Sequence, residues 1–271
     1  MAERAYIHGT DPDEQRRLST LNLFLNEPWL DRMALQAGES VLDVGSGLGQ
    51  LTRAIARRVA PARVLGIERS DAQRGEAARL AAADGEADLV ELRAGDAQEP
   101  PLRDGEWGTF HAAHARFVLE HVRDPAAVVR SMARAVRPGG RLLLMDDDHD
   151  VLRLHPEPPG FGPLWAAYNR SYDRLGNDPY VGRRLVALLH AAGARPTQAS
   201  GIFYGGPAGS AAFDWAAGNI VRILRGAREA MVGGDLIGAD TFEPAVAALE
   251  AWMARPDAAC WYSLCWAEGR V

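Results

Sequence analysis

Glycines alternate through Asp43-Val44-Gly45-Ser46-Gly47-Leu48-Gly49-Gln50. Backbone without side chains at that spacing lets a ligand lie directly against the chain. The residues before it, Val41-Leu42-Asp43-Val44, read as a buried strand, and 48–59 reads as a helix. A strand that breaks through glycines into a helix presents free N–H groups at the helix start, a ready seat for a polar ligand. A dinucleotide fingerprint would place its third glycine at position 50; here it arrives one residue early, and Gln50 stands instead. Nineteen residues beyond Gly49, Glu68 closes a second strand-like run, Val64-Leu65-Gly66-Ile67-Glu68. A carboxylate there can accept both hydroxyls of a bound ribose; the bland alternative is an ordinary strand-end acid.

Proton-transfer candidates gather at the ends of the fourth and fifth strand-like runs. They are His114, His121 and the run Asp146-Asp147-Asp148-His149-Asp150. His149 is the first candidate for a general base, because nearby carboxylates would hold an imidazole near working pH. His121 is the second, with a structural role as its alternative. Four carboxylates and a histidine could also hold Mg²⁺ or Ca²⁺ through oxygen ligands. Local spacing does not build such a site, and acidic runs usually face water, so no metal is expected. Trp165, Tyr168 and Tyr172 recur at helical spacing. They either pack a helix onto a sheet or wall an apolar substrate pocket.

The elements that would position these residues alternate regularly. Strands are predicted at 39–44, 63–68, 88–94, 109–115 and 141–145. Helices are predicted at 48–59, 71–83 and 124–136, and Pro138-Gly139-Gly140 reads as the turn into the fifth strand. That alternation predicts a parallel, doubly wound sheet with right-handed crossovers and helices on both faces. Residues 11–36 read as helical, with Leu18, Leu21, Leu25 and Trp29 in phase and Pro28 interrupting. Past Asp150 the breaker cluster Pro156-Glu157-Pro158-Pro159-Gly160 changes the pattern. Helices at 161–175, 181–192 and 210–255 then surround strands at 196–204 and 261–267, with a break at Gly233-Gly234. The expected organisation is an N-terminal helical lid (1–36), a binding core (37–150) and a remainder of the sheet with a helical cap (151–271), all in one structural domain.

Composition bounds the rest. The chain has 271 residues, 47% of them apolar and 24% charged, as in soluble globular proteins. A net charge of −6, with arginines scattered along helices, speaks against a nucleic-acid partner. Two cysteines suit a reducing compartment, and their odd separation on one strand would put Cys260 and Cys265 on opposite faces. No apolar run approaches membrane length, and no leader is evident, so a cytoplasmic protein without membrane contact is expected.

The form Asp43-x-Gly45-x-Gly47-x-Gly49 resembles motif I of class I S-adenosylmethionine (SAM) dependent methyltransferases. Further segments carry the same resemblance: Gly95-Asp96-Ala97, then Ala115-Arg116-Phe117-Val118-Leu119-Glu120-His121, then Arg137-Pro138-Gly139-Gly140. One departure is His111, where the family often has an acid. Asn177–Leu185 resembles small-molecule members of the type 11/25 kind, and Tyr6-Ile7-His8-Gly9 resembles segments that fold over SAM. The resemblance implies a Rossmann-like, mostly parallel seven-stranded sheet with helical cap insertions. It implies that Asp43, Gly45, Ser46, Gly47 and Gly49 hold the methionine end of SAM, with Glu68 and Arg69 at the ribose. Asp96 and Ala97 would take the adenine, Ala115 and Arg116 would lie near the sulfonium, and Tyr6 would close over the ligand. The expected reaction is methyl transfer to a small metabolite, O-methylation by in-line displacement with S-adenosylhomocysteine (SAH) as product. Alternatives are a non-methylating SAM-binding enzyme such as a cyclase, an NAD-dependent oxidoreductase, and an RNA methyltransferase. A homodimer is left open.

Overall fold

The computed structural model describes residues 12–271. Eight strands form one sheet: β1 (Val41–Val44), β2 (Val64–Glu68), β3 (Glu91–Ala94), β4 (Phe110–Arg116), β5 (Val136–Asp146), β6 (Arg153–His155), β7 (Arg195–Pro207) and β8 (Ala259–Arg270). Their order is β3-β2-β1-β4-β5-β8-β6, with β7 on the other edge of β8. The first five pair in parallel, and β8 runs antiparallel to its neighbours. The chain order therefore reverses between β1 and β4, the switch point at which open α/β sheets hold ligands.

The eight α-helices are α1 (Pro12–Met33), α2 (Gln50–Val59), α3 (Asp71–Ala83), α4 (Pro125–Ala135), α5 (Phe161–Ser171), α6 (Leu185–Ala191), α7 (Ala211–Gly226) and α8 (Ala239–Met253). Side chains alternate across the sheet as a pleat requires. Along β5, Leu143 and Met145 join a core with α1, α2, α5, α7 and α8, while Leu142 and Leu144 join a second core with α4 and α6. Caps set the helix starts: Asp124 accepts from Ala127 N at 2.9 Å ahead of Pro125, and Ser210 accepts from Phe213 N at 3.2 Å.

Several expectations are corrected. The sheet has eight strands, not seven, because Arg153-Leu154-His155 pairs with the start of β8. Three residues are too few to show a period, so the strand is defined by its partner. The expected turn at Pro138–Gly140 lies within the bounds of β5, and β8 is longer at both ends than 261–267. The long helix at 161–175 ends at Ser171 and yields to a 3₁₀ turn, Asp173–Leu175. Cys260 is buried and Cys265 half-buried, both free and of opposite parity on β8. No described helix is long and apolar enough to cross a membrane.

Candidate active site

Two adjoining spaces open at the carboxyl ends of the parallel strands. The larger, about 320 Å³, is a cleft beside the glycine turn. Gly45 and Ser46 both donate to Ile67 O, at 2.8 and 3.0 Å, which clips the turn onto the end of β2. Gly45 has φ +75, and a Cβ there would meet Val118 Cγ2 at 2.3 Å. Only glycine satisfies both the turn and that close approach. The Glu68 carboxylate accepts from Gly47 N at 3.0 Å and Ser70 N at 2.8 Å, so backbone holds it at the cleft wall. Asp96 shapes the next loop by accepting from Gln98 N at 2.8 Å.

Under the turn, Asp43 accepts from Thr52 Oγ1 at 2.5 Å and lies 3.0 Å from His114 Nε2. Burial pushes its carboxyl up, but His114, Thr52 and Arg116 outweigh that and hold it below its ordinary value. Asp43 thus borders the cleft while its carboxylate ties α2 and β4 together. Arg116 bonds Asn22 and, at 3.0 Å, Asn26, which fastens α1 over the cleft. Burial lowers its pKa to about 10 against the pull of Asp43. Among the described residues, polar atoms in this wall that are buried with no hydrogen-bond partner include Ser46 Oγ, Gln73 Oε1 and Arg116 Nη1. Buried polar groups are normally satisfied, so these three suit a polar ligand.

The smaller space, about 80 Å³, is a chamber under α1, α5 and α7. It shares Leu21, Phe117 and His121 with the cleft, so the two adjoin across these side chains. Phe117, at the junction, has φ +55, an uncommon conformation for a residue with a side chain. Asp146 fixes that corner by accepting from Val118 N at 3.1 Å and Leu119 N at 2.8 Å, and Phe117 N donates to Met145 O at 3.1 Å. His149 lines the chamber and is 3% exposed. Its Nδ1 bonds Asn169 Oδ1 at 2.8 Å, which makes Nδ1 the donor and leaves the lone pair on Nε2. Its ring stacks on Tyr168 at 5.6 Å and meets Tyr172 edge-on at 5.3 Å. Burial lowers the His149 pKa despite Asp147, Asn169, Asp148 and Asp150, and burial beside His149 lowers that of His121 to about 3. Both rings are neutral at pH 7. The neighbouring carboxylates pull the His149 pKa up, as expected, but burial outweighs them.

The structure brings most sequence-predicted residues together. Asp43, Gly45, Ser46, Gly47, Glu68, Arg69, Asp96, Ala97 and Arg116 border the cleft, and His121, His149, Trp165, Tyr168 and Tyr172 border the chamber. Gly49 and Ala115 do not border either space. Gly49 starts α2 at φ +68, where a Cβ would meet Ala77 and Leu92, and Ala115 is fully buried in β4. Tyr6 lies outside the described residues. The acidic run does not simply face water: Asp146 is buried on backbone N–H groups, Asp148 forms a two-pronged pair with Arg183 at 2.7 and 2.5 Å, and only Asp147 borders the chamber. Unforeseen chamber residues are Asn219, Tyr204 and Tyr262, with Asn169 behind His149. No local pattern marks them, because they come from elements far apart in the chain.

A parallel sheet with a cleft at its switch point, next to a capped chamber, is a Rossmann-like architecture. The sequence profile of a methyltransferase domain family matches residues 15–199, and the chain belongs to this family of class I SAM-dependent methyltransferases. The ubiquinone biosynthesis O-methyltransferase of Pseudomonas paraeruginosa is 39% identical over 142 residues, 52% of this chain and 56% of that protein. An uncharacterized 37.1 kDa protein in transposon TN4556 of Streptomyces fradiae is 35% identical over 167 residues, 60% of this chain and 46% of that protein. The matches thus span about half the length of these curated relatives. Among solved structures, geranyl diphosphate methyltransferase in complex with SAM aligns with a TM-score of 0.57 at 18% identity, covering 96% of this chain and 93% of that one. The cyclase SpnF aligns at 0.57 and 22% identity, covering 91% and 80%. At such identities the likeness is one of fold.

Proposed function

We propose that the protein uses SAM to methylate an oxygen of a small, partly apolar metabolite, with SAH as the second product. The observation that carries this reading is that the cleft adjoins, across Leu21, Phe117 and His121, a chamber whose neutral His149 presents Nε2. The residues present fit SAM. Glu68 would take the ribose hydroxyls, with Arg69 beside it. Asp96 and Ala97 would take the adenine edge, and Ser46, Gln73 and Arg116 offer their unpartnered buried atoms to the remaining polar groups. When bound, SAM supplies an electrophilic sulfonium methyl for in-line displacement.

The chain's own part is alignment, exclusion of water and proton management. Trp165, Tyr168 and Tyr172 wall the chamber and dry it. Well-aligned reaction partners can gain about 7–11 kcal/mol over the same reaction in solution. Asn169 and the stacked Tyr168 hold the His149 ring so that Nε2 can accept the acceptor hydroxyl's proton. His121, with its pKa near 3, stays uncharged between the two spaces.

The test is SAH formation from SAM across a panel of hydroxylated small molecules, with the methylated product identified by mass spectrometry. The expected result is stoichiometric SAH and O-methylated product, abolished in His149→Gln. A product rearranged without gaining a methyl group, with SAM recovered intact, would overturn methyl transfer.

A further inference from the structure

Among the described residues, the chamber wall gathers two carboxyl groups and one cation. Glu120 and Asp147 both border it, and with both histidines neutral the one cation on its described wall is Arg17. Glu120 is 3% exposed; its Oε1 lies 3.3 Å from His121 Nε2, and among the described residues its Oε2 makes no hydrogen bond, with His149 Nε2 at 3.6 Å. Asp147 spends Oδ1 on the Tyr262 hydroxyl at 2.6 Å. One ligating atom from each of Glu120, Asp147 and His149 falls within 4.8 Å of the others. A buried carboxylate oxygen without a partner is costly, and a cation seated against it removes the cost. Burial, with Asp147 and Asp146 nearby, raises the Glu120 carboxyl well above its ordinary value against Tyr172 and Arg17, and a cation at Oε2 would draw it back down.

Resting on the methyl-transfer reading above, we propose that the chamber recognises a protonated amine on the acceptor molecule, held by Glu120 and Asp147 beneath the surrounding aromatic rings. Tyr168, Tyr172, Tyr204 and Trp165 border the same space. Aromatic faces attract an organic ammonium, and the attraction grows where water is excluded. The same carboxylates could meet a divalent metal, but such an ion takes oxygen ligands and makes no use of the ring faces, which an organic ammonium does. The substrate class is thus a small amine with its methyl-accepting hydroxyl a few bonds away, within reach of His149.

The test is isothermal titration in EDTA with the cleft saturated by SAH. The probes are phenethylammonium, phenethyl alcohol and phenylpropionate, which share a ring and differ in charge. The ammonium should bind at least about tenfold more tightly than the alcohol, and the carboxylate should not bind. Glu120→Gln and Asp147→Asn should each erase most of that preference while leaving SAH affinity intact, which also shows that the variants fold. Absence of ammonium binding, equal binding of the alcohol, or an unchanged preference in both variants would overturn the proposal alone. Failure of the wild-type protein to bind SAH would overturn the methyl-donor reading and the proposal with it.

Discussion

The cleft takes its polar contacts mainly from three successive strand–helix loops, after β1, β2 and β3, whereas the chamber assembles side chains from at least six separated elements. In the cleft, backbone does most of the holding: Ile67 O clips the turn, and Gly47 and Ser70 N–H groups fix Glu68. In the chamber, side chains hold one another, as Asn169 holds His149 and Tyr262 holds Asp147. Backbone-built sites leave their trace in glycines and loop acids at fixed spacing. Side-chain-built sites can change their lining without disturbing the sheet, which suits a part that selects the acceptor.

If the two regions divide the work in this way, substitutions should separate them cleanly. The largest effect is expected at His149. His149→Gln should lower kcat by about 10²–10⁴-fold, the usual contribution of a general base, with SAH affinity unchanged in calorimetry. A parallel loss of SAH affinity would merge the two regions. Next, Glu68→Ala should weaken SAH binding by about 1.5–3 kcal/mol, roughly tenfold to a hundredfold, with kcat at saturating donor little altered. Unchanged affinity would remove its ribose role.

A smaller effect concerns pH. Burial disfavours the imidazolium form of His149, so its folded pKa lies below the unfolded value near 6.5. The rate should be flat above that folded pKa and fall on the acid side as Nε2 takes a proton. Stability from this group should be fully present above about pH 6.5 and decline as pH drops through it, because the unfolded state binds the proton first. A kcat/KM profile with its acid limb above the ordinary imidazole value, or a limb that persists in His149→Gln, would contradict the assignment. The smallest effect is none at all: activity should survive EDTA. Restoration by a divalent ion after chelation would turn Glu120, Asp147 and His149 into a metal site.

The same contrast explains what could be read from sequence. The parallel core was legible because β1 and β2 are short apolar runs, β3 alternates, and Gly, Pro and Asp punctuate the segments between strands and helices. Gly45, Gly47, Glu68 and Asp96 were legible because the loops that carry them follow those strands directly. Gly49 lies at the start of α2 and outside the cleft wall, a position that its place in the glycine series does not reveal. Ala115 is buried at the strand end, and the next residue, Arg116, reaches the cleft. Glu120 was quoted within a recurring segment, yet nothing in that segment tells that it shares a space with Asp147. Tyr204 and Tyr262 face each other across β7 and β8 at 5.1 Å, a register fixed by pairing of strands more than fifty residues apart. Burial, too, is a property of the assembled fold, which is why the His149 pKa moves opposite to the direction its sequence neighbours suggest.

The central claim is that the cleft is built for SAM, and the most direct test is calorimetric titration of the wild-type protein with SAH and, separately, NAD. The account predicts saturable binding of one SAH per chain and none of NAD. Saturable binding of NAD with no response to SAH would contradict it.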